Sequence, residues 1–478
     1  MASVTTQESI SKVSSIPVDD QLKGLSLLLS ADKMKLTLAE ILKIPANKIS
    51  KFSVNYIRYK PSTNCLAAYS FRIDKNANGN IELPNHLSEE EIIFYGKCYT
   101  ESDYSNATSK VNAKRWIDRV NIASVTTLDE KNVILYFFPN DALLEGLRIL
   151  SDPRKIQRLL YEKLDAFPQE IWRISDRRLK ITPVRYKPER RAVLRCETRA
   201  THRENKTKKS IIVYAKIYSD TRGEDIYALM KQVYGKTLRI KGLATPRPLG
   251  YLSERKLILM ESLPGKPLSE FVSQYNFKNR DFNESDFKES LLRAVKALTL
   301  LHKIKIPRLR HKDRAEYLNE IKSSSRTLSQ LLPDLRNEID RIKQTLERTL
   351  PIAESESFGF THGDFHPKQI LVSDTVVGIL DFDRSCNGEQ YTDIAEFIAH
   401  LRSSEKNDAQ PLNNGRESYI LEMYSESSGK SLDRKRLNYW MAQRLFLLAV
   451  APFRRMDKDW KENSKRILEE CQVILTSL

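Results

Sequence analysis

The chain has 478 residues, 40% of them hydrophobic and 29% charged, with 79 lysines and arginines against 62 acids for a formal net charge of +17. This composition fills large cores and suggests about two to three domains, and with no apolar run of roughly 18 residues a membrane-spanning helix is excluded. Its cations are interleaved with acids, as where Asp433 precedes Arg434 and Arg436, so most of the charge reads as solvated surface and nucleic-acid binding is disfavoured.

Five cysteines (Cys65, Cys98, Cys196, Cys386, Cys471) are dispersed without a CxxC pair, the pattern of free thiols in a reducing compartment. The opening MASVTTQESISKVSS has no basic region followed by an apolar core. A cytoplasmic location is the expectation.

Residues 1–39 form an N-terminal segment, polar and then weakly helical. From about 40 to 150 the chain carries blocks that recur later in the same order. Tyr56-Ile-Arg-Tyr-Lys-Pro61, Cys65 to Arg72 and Ile92 to Tyr99 are echoed by Pro183-Val-Arg-Tyr-Lys-Pro188, Ala192 to Arg199 and Ile211 to Tyr218. Val133 to Pro139 is echoed by Leu257 to Pro264. Matching blocks in matching order are the mark of a duplication, and two copies are too few for a solenoid. Residues 151–178 read as a helical linker, since Arg154 to Leu164 has apolar residues at helical spacing.

The second copy, residues 179–265, predicts strands at Ile181 to Tyr186, Ala192 to Arg199 and Ile211 to Tyr218. The first two are joined by the basic turn Lys187-Pro-Glu-Arg-Arg191, which contains no glycine. Lys216 sits inside an apolar strand, where an ammonium is costly unless it finds anions; a lysine snorkelling from a sheet edge is the alternative. Glu224, with Asp225 as its rival, is the nearest carboxylate in sequence. Leu257 to Glu261 predicts a buried strand entering a Pro-Gly turn.

Residues 266–478 are mostly helical by period. Helices are expected at Phe287 to His302, across Asp313 to Leu350, around Ser418 and at Tyr439 to Val450. Within this region Phe360 to Leu401 differs. A His362-Gly-Asp364 turn leads into Gln369-Ile-Leu-Val and Val376-Val-Gly-Ile-Leu380, which read as a hairpin with Asp381 and Asp383 at its end. Closing that hairpin brings a carboxylate, an amide and two more carboxylates together. Such an oxygen set suits magnesium held against a nucleotide's phosphates.

His362-Gly-Asp364-x-His366-x-x-Gln369, with Ile379-Leu-Asp381-Phe-Asp383, Gly388 and Asp393-Ile-Ala, resembles the aminoglycoside phosphotransferase and choline kinase family. That resemblance implies an α+β, protein-kinase-like bilobal fold, with a small β-rich lobe and a helical lobe. Here it would be preceded by a duplicated, degenerate small-lobe-like domain. It further implies ATP and Mg²⁺ as cofactors, Asp364 as catalytic base, Asp381 as principal metal ligand with Gln369 and Asp383, and Asp393 as a structural residue. Lys216 would meet the phosphates and pair with Glu224, Lys187 and Arg191 would lie over the phosphates, and the backbone of Glu261, Ser262 and Leu263 would meet adenine. The family's commonest amide is Asn, and Gln369 departs from it with the same oxygen on a longer arm.

The expected activity is transfer of the γ-phosphate to a hydroxyl of a small molecule. The basic chain would repel a polycationic aminoglycoside. A peptide or protein acceptor docked through the first domain, or a non-catalytic nucleotide-binding scaffold, are the alternatives. Trp440, Arg444, Arg454 and Arg455 are candidates to face the acceptor, although tryptophans at helical spacing are more often core. His302, His311 and His400 read as structural or surface, His362 as holding its loop, and His366 as bonding the loop or touching phosphate.

Overall fold

The computed structural model describes residues 17–74, 91–117, 124–276, 283–351, 358–403 and 416–478. The first domain comprises helices α1 (Leu25–Leu28) and α2 (Ala31–Leu42), strands β1 (Ile49–Lys60), β2 (Asn64–Ile73) and β3 (Ile92–Tyr99), helix α3 (Glu101–Asn112), and strands β4 (Val125–Leu128) and β5 (Val133–Phe137). Its antiparallel sheet has the order β1-β2-β3-β5-β4. Successive residues of β3 alternate between faces, so Phe94 and Cys98 join Leu28 and Met34 in one core while Tyr95 stacks on Tyr136 on the other, with centroids 4.7 Å apart. Lys97 shares the tyrosine face. The leucines at 22, 25, 27, 28 and 29 are buried in this core, so residues 22–39 pack as part of the domain; the first sixteen residues of the expected N-terminal segment lie outside the described residues.

Helix α4 (Pro153–Lys163) starts on Asp152, whose carboxylate accepts from the N–H groups of Arg154 and Lys155. Next come β6 (Trp172–Ile174), β7 (Lys180–Lys187), β8 (Arg191–His202), β9 (Lys208–Tyr218), α5 (Arg222–Thr237), β10 (Leu243–Ala244), β11 (Pro248–Leu252) and β12 (Leu257–Glu261). The sheet runs β11-β12-β9-β8, with both β6 and β7 on the outer edge of β8. The expected linker thus supplies a strand as well as a helix. Three antiparallel strands, a helix and two more strands appear in both domains, and β7-β8-β9-β12-β11 matches β1-β2-β3-β5-β4 in order. In register, Lys97 lies opposite Leu66 and Ile134, and Lys216 opposite Val193 and Ile258.

The remainder is helical around small sheets. It contains β13 (Lys266–Pro267), α6 (Leu268–Asn276), α7 (Glu284–His302), α8 (Arg314–Leu331), α9 (Arg336–Thr349), β14 (Phe358–Thr361), β15 (Ile370–Val372), β16 (Val377–Ile379), β17 (Cys386–Glu389), α10 (Tyr391–Ser403), α11 (Arg416–Ser428), α12 (Arg434–Leu448), α13 (Ala451–Arg455) and α14 (Trp460–Leu475). β15 and β16 pair antiparallel as the expected hairpin, with Ile370 opposite Ile379. Every residue of α12 from Tyr439 to Phe446 is buried. Trp440 therefore packs on Tyr317, and Arg444 pairs with Glu396 at 3.3 Å. Both are core, the commoner outcome for such residues at helical spacing, because other helices wrap this stretch of α12.

All five cysteines are free and buried. Among the described residues no helix is long and apolar enough to cross a membrane.

Candidate active site

The turn that carries Asp364 is built from buried polar groups. Asp393, fully buried in the first turn of α10, accepts from the N–H of His362 and of Gly363, both at 2.7 Å, and faces His302 Nε2 at 3.0 Å. Gly363 has φ +76°, and a Cβ there would come within 2.4 Å of the Arg384 carbonyl. No other residue fits this turn. His362 donates from Nε2 to the Leu380 carbonyl at 2.8 Å and accepts at Nδ1 from Asp364 N–H at 3.3 Å, tying the turn to the end of β16. Asp364 itself projects toward Arg384, whose Nη1 lies 3.3 Å from Oδ1.

Asp381 follows β16 with φ 67° and ψ 70°, a left-handed conformation that a residue with a side chain adopts at a cost. The strain is consistent with a position selected for its side chain. Asp381 and Asp383 meet two cations delivered by the second domain. Lys216 Nζ is 2.7 Å from Asp381 Oδ1 and 2.5 Å from Asp383 Oδ1, and Arg191 forks to Asp381 Oδ2 at 3.1 Å and to Asp383. Tyr218, two residues beyond Lys216 and so on the same strand face, donates to Asp383 Oδ1 at 2.8 Å. Gln369 Nε2 lies 3.3 Å from Asp381 Oδ2. Burial by itself would raise the Asp381 carboxyl, but Lys216 and Arg191 outweigh it and hold the group well below the usual carboxylate range.

Two carboxylates and an amide whose half-turn presents its oxygen are a hard-donor set. Among the described residues no group of three or more His, Cys, Asp and Glu side chains converges as a metal cluster. The residues present fit a cation such as Mg²⁺ that takes part of its coordination from phosphate and water.

The other expected residues fall as follows. Glu224 and Asp225 are exposed in the first turn of α5 and are not partners of Lys216, a correction to that pairing: the ammonium reaches instead to the carboxylates at the end of β16. Glu261 ends β12, its N–H bonded to the Arg247 carbonyl at 3.0 Å; Ser262 is exposed, and Leu263 lies over Gly378 of β16. Gly265, at φ +114°, lets this connection pass the Val372 carbonyl, which a Cβ would approach to 2.7 Å. Lys187 is half-buried, and burial together with Arg191 and Arg185 lowers its ammonium to about 8. Arg454 and Arg455, unlike Trp440 and Arg444, line a cavity beside the Asp364 turn.

Sequence reasoning missed Tyr218, Arg384 and Glu189. Tyr218 was detectable from its spacing to Lys216. Glu189, at the tip of the β7–β8 turn with φ 60°, is held by the first domain: Lys97 Nζ lies 2.9 Å from each of its oxygens and Arg58 is 2.7 Å away. Its N–H donates to Asp141 at 3.0 Å, and Asp141 also accepts from Tyr186 at 2.8 Å. Nothing local in either sequence block signals this contact.

Residues 212–425 match the model of the phosphotransferase enzyme family. No curated protein matches the chain. Among solved structures, choline kinase from Cryptosporidium parvum Iowa II is 12% identical, the match covering 68% of this chain and 96% of that one at a TM-score of 0.45. Plasmodium vivax ethanolamine kinase is 14% identical over 63% of this chain and 83% of its own, at 0.41. Macrolide 2'-phosphotransferase MphH from Brachybacterium faecium is 12% identical over 66% and 97%, at 0.39. The matched span runs from β9 to α11 and contains Lys216, Asp364, Gln369, Asp381 and Asp383.

Proposed function

We propose that this chain transfers the γ-phosphoryl group of ATP, with Mg²⁺, to a hydroxyl of a small molecule. The observation that carries this reading is the meeting of Lys216 and Arg191 with Asp381 and Asp383 beside the Asp364 turn. Cations from a sheet and carboxylates from a hairpin converge where phosphate oxygens and a divalent cation would share the same charges. Phosphoryl transfer asks for positioning and charge neutralisation more than covalent chemistry.

In this reading Lys216 and Arg191 hold phosphate oxygens, and Asp381, Asp383 and Gln369 hold the ion. Bound there, Mg²⁺ would neutralise charge on the transferring group. Asp364 accepts the proton of the acceptor hydroxyl, oriented by Arg384. The backbone from Glu261 to Leu263 would face adenine.

The first domain we read as a degenerate copy of the small lobe. Its strand order supports this, as does the fate of its site: Lys97 is engaged by Glu189, and Phe137 and Phe138 are buried where the second copy has Glu261 and Ser262. Its lysine face is turned toward Glu189 and not outward, which does not favour peptide docking there. A cytoplasmic location belongs to the same proposal.

The test is ATP consumption with Mg²⁺ by the wild-type chain and by Asp364→Asn. Loss of a positioned base lowers turnover by about 10²–10⁴-fold while folding and nucleotide binding persist. Near-normal turnover in the variant would remove Asp364 from this role.

A further inference from the structure

A cavity of about 1240 Å³ opens beside the Asp364 turn, and its walls come from three parts of the chain. β1 of the first domain supplies one wall, with Tyr56 and Arg58. β7 and its turn supply a second. His366 to Lys368, α6 and α13 supply the third. Tyr59 of β1 packs against Phe453 of α13, centroids 6.4 Å apart, and this contact joins the first wall to the third. Lys216, Asp381 and Asp383 do not line it, so it is a space separate from the expected phosphate site. It reaches that site through His366, whose Nε2 lies 3.9 Å from Asp364 Oδ2.

The charge of this cavity is lopsided. Eight cationic side chains line it against three acids, Glu91, Asp457 and Asp459. Arg58 is neutralised by Glu189, and Arg455 by Asp457 at 2.6 Å. Arg185, Lys187, Lys368 and Arg454 have no ion-pair partner among the described residues. They are exposed or half-buried around one cleft, and burial with neighbouring cations pulls the Lys187 ammonium and the Arg185 and Arg454 guanidinium groups below their ordinary values: Arg191 and Arg185 act on Lys187, Arg191 on Arg185, and Arg190 and Arg384 on Arg454. Folding gains nothing from like charges gathered in a cleft. Such a cluster is stabilised by an anion that bridges them.

We infer that the acceptor is anionic: a hydroxylated small molecule that already carries a phosphate or carboxylate group, held in this cavity by Arg185, Lys187, Lys368 and Arg454 with its hydroxyl toward Asp364. This rests on the reading of the site as a phosphotransferase centre. The first domain then has a part in recognition, because β1 forms one wall of the acceptor cavity. A cationic acceptor would meet four unpaired positive charges there and be rejected.

The test has two arms. With the nucleotide site saturated by Mg·AMP-PNP, inorganic pyrophosphate is titrated by calorimetry into the wild-type chain, Arg185→Gln/Arg454→Gln, and Arg177→Gln/Arg178→Gln, the last on a basic surface elsewhere in the second domain. One saturable site is expected, weakened about tenfold or more in the first pair, as loss of charge-assisted hydrogen bonds implies, and unchanged in the second. No saturable site, or equal losses in both pairs, overturns the inference. In the other arm, ATP consumption is followed with glucose 6-phosphate, gluconate, glucose, choline and kanamycin. Turnover with glucose, choline or kanamycin that survives Arg185→Gln/Arg454→Gln also overturns it. Failure of AMP-PNP to bind, with the pyrophosphate site intact, instead overturns the phosphotransferase reading.

Discussion

Lys97 of the first domain places its ammonium 2.9 Å from both carboxylate oxygens of Glu189, at the tip of the turn that delivers Arg191 to the candidate active site. Lys97 and Lys216 hold matching places in matching strands, and each ammonium lies near the ring of the tyrosine two residues on, at 4.8 and 5.5 Å. Their intrinsic chemistry is the same. What differs is the carboxylate each meets: Glu189 from a neighbouring domain for one, Asp381 and Asp383 for the other. Lys97 thus anchors the turn that carries Arg191 to the candidate active site.

Lys97→Ala is therefore expected to leave ATP affinity nearly unchanged, since Arg58 and Asp141 still hold the turn, whereas Lys216→Ala weakens ATP binding or slows transfer. Glu189→Ala leaves Arg58 and Lys97 facing each other without an anion and should destabilise the chain by about 3–5 kcal/mol. Urea unfolding of Glu189→Ala against the wild-type chain, and calorimetry with Mg·ATP on Lys97→Ala and Lys216→Ala, check this. Loss of nucleotide binding in Lys97→Ala but not in Lys216→Ala would reverse the assignment of the two domains.

Asp381→Ala should weaken Mg·ATP binding more than metal-free ATP binding, because in the proposed site the carboxylate meets nucleotide only through the ion. Without Mg²⁺, removing Asp381 takes one of the two carboxylates from Lys216 and Arg191, leaving Asp383, so metal-free affinity should hold or rise. Equal losses with and without magnesium, measured by calorimetry, would count against Asp381 as a ligand.

Asp393 supports the Asp364 turn through its backbone. Asp393→Ala strands the N–H groups of His362 and Gly363 and one face of His302, all in buried surroundings. A cost of about 3–5 kcal/mol is expected from breaking a buried charged network. Thermal or urea unfolding reads it directly, and a loss under about 1 kcal/mol would show that the turn is held otherwise.

His366 introduces a pH dependence of stability. Burial and the neighbouring His400 lower its imidazole to about 4, from an ordinary value of 6.5. The unfolded chain therefore binds a proton at this group between those values while the folded chain does not. Its contribution is fully present above pH about 6.5 and is lost as pH falls toward 4, amounting to at most about 3 kcal/mol. Unfolding free energies measured from pH 7 to 4 should decline more steeply in the wild-type chain than in His366→Phe. Parallel curves would remove His366 as the source.

How much was legible in the chain depended on whether the determining contacts were local. The hairpin from Ile370 to Ile379, the strands on either side of the Lys187 to Arg191 turn and the helix at Pro153–Lys163 follow from period and turn residues, because neighbours in sequence are neighbours in space. The motif residues Asp364, Gln369, Asp381 and Asp383 were identifiable for the same reason, lying within one turn and one hairpin. The repeated blocks likewise announced two sheets of the same strand order.

What tertiary structure decided was every partnership across long separations. Glu224 is nearest to Lys216 in the chain, yet Asp381 and Asp383, more than a hundred residues on, are its partners, because β9 faces the end of β16 across the lobes. Trp440 and Arg444 could have been lining or core, and the assembled bundle decides for core, since α12 is covered by other helices there. The formal charge of +17 could not say where cations gather. Packing of β1, β7 and α13 around one cavity brings together side chains that sequence leaves scattered, and mutual repulsion between them is a property of that packing alone.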